Sequence, residues 1–315
     1  MKLMRSLAGA ALALALMAGP GSAAEPESCK NVRFSDVGWT DITATTALAS
    51  VVLEALGYTP DVKVLSVPVT YASLKNKDID VFLGNWMPTM EADIAPYRED
   101  GSVETVTTNL EGAKYTLAVP KYLYDEGLQS FQDIDKFKDQ LGGRIYGIEP
   151  GNDGNRLILT MIEEDKFGLG DFKLQESSEQ GMLAQVARSV QRKEPIVFLG
   201  WEPHPMNANF DLAYLAGGDE VFGPNFGGAT VHTNVRAGYA QECPNVGQLL
   251  RNMTFTLAQE NQIMGAILDK NQDPQEAARE WLKANPDVLQ TWLQGVTTFD
   301  GQDGLAAVRS ALGLS

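Results

Sequence analysis

The chain has 315 residues, 44% of them hydrophobic and 21% charged, which suits two modest α/β domains or one large one and excludes a disordered polymer. Its net charge of −16 excludes a nucleic-acid surface built from clustered Lys and Arg. The same acidity fits a solvated secreted surface and favours cationic ligands by long-range steering.

The first 24 residues read as a secretory signal peptide. Lys2 and Arg5 form a positive start, "LAGAALALALMAG" an apolar stretch too short for a comfortable membrane span, and the small residues at 22–24 a cleavage site after Ala24. Loss of Lys2 and Arg5 takes the net charge from −16 to −18. No later stretch reaches 18 uninterrupted apolar residues, so the mature chain is expected to be exported and soluble. Cys29 is separated from the apolar stretch by "AAEPES", unlike the cysteine of a lipid-anchored protein. Cys29 and Cys243 are the two thiols, and in an oxidising compartment they suggest one disulfide. With no C-x-x-C motif, a structural bond is favoured over a catalytic one.

Segments 31–37, 61–68 and 79–84 read as strands, with helical spacing over 41–57 and 70–78 between them. Asp41 stands where an N-cap belongs. This βαβαβ order predicts a mostly parallel sheet. The pattern restarts with strands at 114–120, 143–150 and 195–200 and helices near 130–141, 154–165 and 177–193. A strand at 228–238 and helical patterns over 244–268 and 274–295 follow, with Asp273 as the cap of the last and Pro274 at its first position. The economical reading is an α/β fold of two lobes joined by crossover strands near 110 and 220. Lobe I is then 25–112 with 220–315, and lobe II is 113–219.

Three segments share a pattern: "RFSDVGWTD", "VFLGNWMP" and "VFLGWEPHP" each place a glycine shortly before a tryptophan at the end of an apolar run. Ligands of open α/β sheets bind beyond the carboxyl ends of the strands. Trp39, Trp86, Trp201 and Asn152 therefore point to one cleft, with Gly38, Gly84 and Gly200 expected to turn the chain off the sheet. Tyr115 stands at the start of its strand, just past a crossover. Indole faces attract cations, by about 0.5–1 kcal/mol each when exposed and 2 or more when desolvated. Asp41, two residues after Trp39, is the matching carboxylate, and capping and ligand contact are both open to it. Trp281 and Trp292 lie within helical patterns and read as core.

These motifs, with "VPVTYASLKNKDIDVFLGNWMPTME", "GAKYTLAVP", "YGIEPGNDGNRLI", "SSEQGMLAQV", "PIVFLGWEPHPMN" and "GATVHTNVRAGYAQECPNVG", closely resemble the periplasmic choline-binding proteins of bacterial ABC importers. Those belong to the wider class of glycine betaine and quaternary-ammonium substrate-binding proteins. The likeness covers the mature chain, least well over 120–141. It implies a type II-like periplasmic binding protein, two α/β lobes with a ligand cleft between them, acting as a monomer that delivers choline to an ABC permease and, through it, an ATPase. It places an aromatic box on Trp39, Trp86, Tyr115 and Trp201, the carboxylate on Asp41 and the hydroxyl-contacting amide on Asn152. Choline is favoured over glycine betaine because Asp41 would repel a ligand carboxylate and none of the box positions is Lys or Arg, the nearby Arg156 falling four residues into its helix pattern.

A secreted choline-ester hydrolase is the rival. G-x-S-x-G, H-E-x-x-H, Walker A and G-x-G-x-x-G are all missing, so no catalytic residue and no cofactor is assigned. His204 with Glu202 makes too thin a donor set for a metal, and a hydrogen-bonding role in the turn is expected. "DKNQDPQEAARE" fails as a calcium loop because Pro274 replaces the required glycine.

Overall fold

In the computed structural model, which describes residues 25–314, the chain opens with the alternation its sequence predicts. β1 (Asn31–Asp36), α1 (Thr40–Ala55), β2 (Thr59–Val64), α2 (Val67–Asn76) and β3 (Val81–Met87) form two parallel pairings, β1 with β2 and β1 with β3. The segment 1–24, read above as a signal peptide, lies outside the described residues. Among the described residues no helix is long and apolar enough to cross a membrane.

After α3 (Glu91–Glu99) comes β4 (Val103–Pro120), followed by the short strands β5 (Arg144–Tyr146), β6 (Lys173–Gln175), β7 (Phe198–Glu202) and β8 (Leu212–Tyr214), and then β9 (Gly228–Arg236). All join one sheet of order β2-β1-β3-β9-β4-β7-β5-β6, with β8 beside β4. β4 changes partners along its length. Val103–Lys114 pairs antiparallel with β9, and Lys114–Ala118 pairs antiparallel with β7. β7, β5 and β6 then pair in parallel. The sheet is thus two parallel flanks joined through the antiparallel β9–β4 pair. The helices Leu257–Leu268 and Pro274–Ala284 pack back onto α1, which is apolar almost all round and buried accordingly.

Local differences from the sequence reading have physical causes. The strand expected over 61–68 stops at Val64, because Pro68 occupies the first turn of α2. The helix expected near 130–141 is two 3-10 turns and a single α turn. The pattern 244–268 divides at Met253, and a capping box between Thr256 and Gln259 starts the second helix. The 274–295 pattern breaks after Ala284, where Asn285 and Pro286 intervene. Asp273 caps Gln275 and Glu276 with Pro274 at the first position, as read from the sequence.

Cys29 and Cys243 are joined, tying the start of the described chain to a segment 214 residues later. Trp292 is fully buried and Trp281 nearly so, its indole N–H donating to Gln262.

Candidate functional site

The three tryptophans reach the cleft by different local routes. Gly38 has φ +83°, the left-handed turn expected of it, and Trp39 follows as the N-cap position of α1. Asp41 is therefore in the first helical turn and its side chain does not cap the helix, which corrects the sequence reading. Gly84 and Gly200 do not end their strands either: β3 runs on to Met87 and β7 to Glu202. Their smallness serves packing. A Cβ on Gly84 would stand 2.7 Å from Ile42 of α1, and one on Gly200 would stand 2.9 Å from Cβ of Ala118 in β4. Trp86 and Trp201 are thus residues of the strands themselves, aimed by strand pleating rather than by a turn.

All six residues singled out in the sequence, Trp39, Asp41, Trp86, Tyr115, Asn152 and Trp201, line one cavity, together with Ile148. About 260 Å³ of space free of atoms lies among these residues, counting any open to solvent. Each of the six is 5% exposed or less. Tyr115 sits directly opposite Trp201 in the β4–β7 ladder, with ring centroids 6.2 Å apart at 85°. Trp86 meets Tyr115 from the other side at 6.0 Å and 60°. Ile148 was missed because an aliphatic inside the strand expected over 143–150 reads as core.

Hydrogen bonds hold the walls in place. The Trp86 indole N–H donates to Oδ2 of Asp41 at 3.0 Å, and that of Trp39 donates to Oε1 of Glu149 at 2.7 Å. The Tyr115 hydroxyl donates to Oδ1 of Asn152 at 2.9 Å, an atom that also accepts from the Asn155 amide and so caps the helix Asp153–Glu163. These two donors fix the amide's orientation. Nδ2 of Asn152 gives one hydrogen to Asp153 and carries a second. Oδ1 of Asp41 is buried without a hydrogen-bond partner among the described residues.

The electrostatics are lopsided. Burial, reinforced by the nearby Glu179 carboxylate, pushes Asp41 up to about 8 against the opposing Trp86 N–H. Burial raises Glu149 to about 7 and Asp153 to about 6. Burial and proximity to Asp41 hold Glu260 well above the usual carboxylate range. No cationic residue is among those lining the cavity. A cation seated there would stabilise the ionised form of Asp41. Oδ1 of Asp41 can accept a donor hydrogen from the ligand, and Nδ2 of Asn152 can donate to a ligand oxygen. The arrangement suits a small cation with an apolar, ring-facing head and one hydroxyl.

Comparison with known proteins agrees with this geometry. The family described as the substrate binding domain of ABC-type glycine betaine transport systems matches residues 30–284. A solved ABC-transporter choline binding protein in complex with choline is 70% identical, covering 92% of this chain and all of that one, at a TM-score of 0.91. An ABC-transporter choline binding protein in an unliganded semi-closed conformation, also 70% identical, covers 91% of this chain and all of that one at 0.85. The glycine betaine/carnitine transport binding protein GbuC of Listeria monocytogenes is 32% identical over 165 residues, 52% of this chain and 54% of that protein.

Proposed function

We propose that this chain, which belongs to the family of substrate-binding domains of ABC-type glycine betaine transport systems, captures choline in the aromatic cavity and delivers it to the permease of an ABC importer. The ligand-binding residues are Trp39, Asp41, Trp86, Tyr115, Asn152 and Trp201. The periplasm is the compartment, after removal of 1–24. Lobe I comprises 25–112 and 220–315, lobe II comprises 113–219, and crossovers near 110 and 220 connect them. Closure of the lobes buries the ammonium among the rings.

One observation carries the choice of ligand: the cavity presents four aromatic rings and an unpaired carboxylate oxygen but no cationic side chain. Desolvated indole faces contribute about 2 kcal/mol each toward a quaternary ammonium, and micromolar binding needs about 8 kcal/mol in all. Glycine betaine has the same head, but its carboxylate would face Asp41 with no Lys or Arg to offset it. Binding without turnover is the reading for the same site, in keeping with the transport family to which the chain belongs.

Calorimetric titration with choline, glycine betaine and acetylcholine side by side tests the assignment. Choline should bind one to one and most tightly, and be recovered unchanged. Trp201→Ala should weaken it well over tenfold while the protein stays folded. Tighter binding of glycine betaine, or steady conversion of a choline ester, would overturn the reading.

A further inference from the structure

Glu179 lies outside the cavity lining, yet three donors converge on its carboxylate. The Thr40 amide donates to Oε2 at 2.8 Å, the Thr40 hydroxyl to Oε1 at 2.6 Å, and Nε2 of His204 to Oε1 at 3.0 Å. The histidine's tautomer follows from its other nitrogen, since Nδ1 accepts from the Met206 amide at 2.9 Å and the ring proton is left on Nε2. All three residues are buried.

The three belong to opposite sides of the cleft. Thr40 begins α1 on the β1–β3 flank, whereas Glu179 begins the helix Glu179–Arg192 and His204 follows β7 on the other flank. Each partner also touches a wall of the cavity. Thr40 stands between Trp39 and Asp41 in the chain, and the His204 ring packs against Trp201 at 4.8 Å between centroids. The neighbouring Trp39 makes a parallel bridge across the cleft to Glu149. Such bonds form only when the two flanks are together.

We propose that Glu179 is a positioning residue for ligand retention: a carboxylate clasp that joins the Trp39–Asp41 segment to the His204–Trp201 pair when the cleft closes. This rests on the function proposed above and assigns a role to a residue that does not touch the ligand. The charge matters for geometry as well as strength. A carboxylate accepts all three hydrogens. A glutamine has one acceptor oxygen, so its NH2 would confront either the Thr40 amide or the Thr40 hydroxyl and His204 N–H.

The test is stopped-flow tryptophan fluorescence with choline on the full chain, comparing wild type, Glu179→Gln and Thr40→Val. Because closure follows encounter, the clasp should act on dissociation. Loss of a buried hydrogen bond to a charged group predicts a koff raised roughly 10- to 100-fold in Glu179→Gln, with kon little changed. Thr40→Val, which removes one donor and no charge, should raise koff by a smaller factor. The ligand-free melting temperature of both variants should stay near wild type. An unchanged koff in Glu179→Gln overturns the clasp. So does a wild-type koff in Thr40→Val, which would reduce Glu179 to a charge acting on the cation, or a ligand-free melting temperature that falls in step with affinity. Should Glu179→Gln not fold, Thr40→Val alone decides. Wild type that binds no choline would instead refute the proposed function. The retention role would then fall with it, whereas an unchanged koff in Glu179→Gln, with wild type binding choline, refutes the clasp alone.

Discussion

Replacing Asp41 by asparagine keeps the shape of the cavity and removes its charge. The asparagine can still accept the Trp86 indole N–H that now reaches Oδ2, but its NH2 then faces the ligand where Oδ1 stood. Between a carboxylate and an ammonium in contact, at about 4.5 Å and an effective dielectric of about 20, the attraction is about 4 kcal/mol. Against this, ionising a carboxyl whose value stands at about 8 costs about 1.4 kcal/mol at neutral pH. The remaining 2–3 kcal/mol corresponds to roughly 30- to 150-fold weaker choline binding. Stability should move the other way. Asp41 titrates above its unfolded value of 3.8, so its burial costs stability as pH rises from there to about 8. The ligand-free variant should therefore melt at or above the wild-type temperature in mildly alkaline buffer. Isothermal titration gives the first quantity and scanning calorimetry the second. An affinity within threefold of wild type would refute the electrostatic account, and parallel losses of affinity and ligand-free stability would show Asp41 to be structural.

The raised position of Asp41 also predicts proton release. A bound cation lowers it, so choline affinity should rise with pH up to about 8 and flatten above. Titrations in buffers of different ionisation heat should show a fraction of a proton leaving per choline at neutral pH, and a buffer-independent heat would contradict this. Gly84→Ala forces a Cβ to within 2.7 Å of Ile42, and overpacking of that kind costs about 1–3 kcal/mol. The melting temperature should drop and choline binding weaken as α1, which carries Asp41, is displaced. Removing the Cys29–Cys243 bond by a double serine substitution should cost about 2–5 kcal/mol in a denaturant titration. Choline affinity should be unchanged, because the bond lies outside the cavity lining.

Most of the cavity walls were legible in the sequence because a local rule places them. Trp39, Trp86 and Trp201 stand at or just past the ends of strands whose apolar runs are plain, and Asn152 opens a helix after another. Tyr115 and the role of Asn152 came through resemblance to relatives rather than from pattern. Helix starts with a strong local signal, such as Asp273 with Pro274, were read correctly. The Asp41 cap was not, since the helix begins one residue earlier and the carboxylate is drawn instead to Trp86, 45 residues away.

The sequence by itself therefore determined the kinds of side chain that wall the cavity, since aromatic side chains at strand ends and an aspartate beside one of them are properties of short segments. Only the tertiary structure decided how those segments are held together. That Gly84 and Gly200 serve close packing rather than turning depends on α1 and β4 lying against them. That Glu179 receives Thr40 from 139 residues away, and that Glu149 receives the Trp39 indole, depends on the two flanks of the sheet meeting. Periodicity records which face of an element is apolar, but a polar contact between distant elements leaves no such trace. Here those contacts surround the cavity, where burial raises Asp41 and Glu149 and gives the carboxylates their effect.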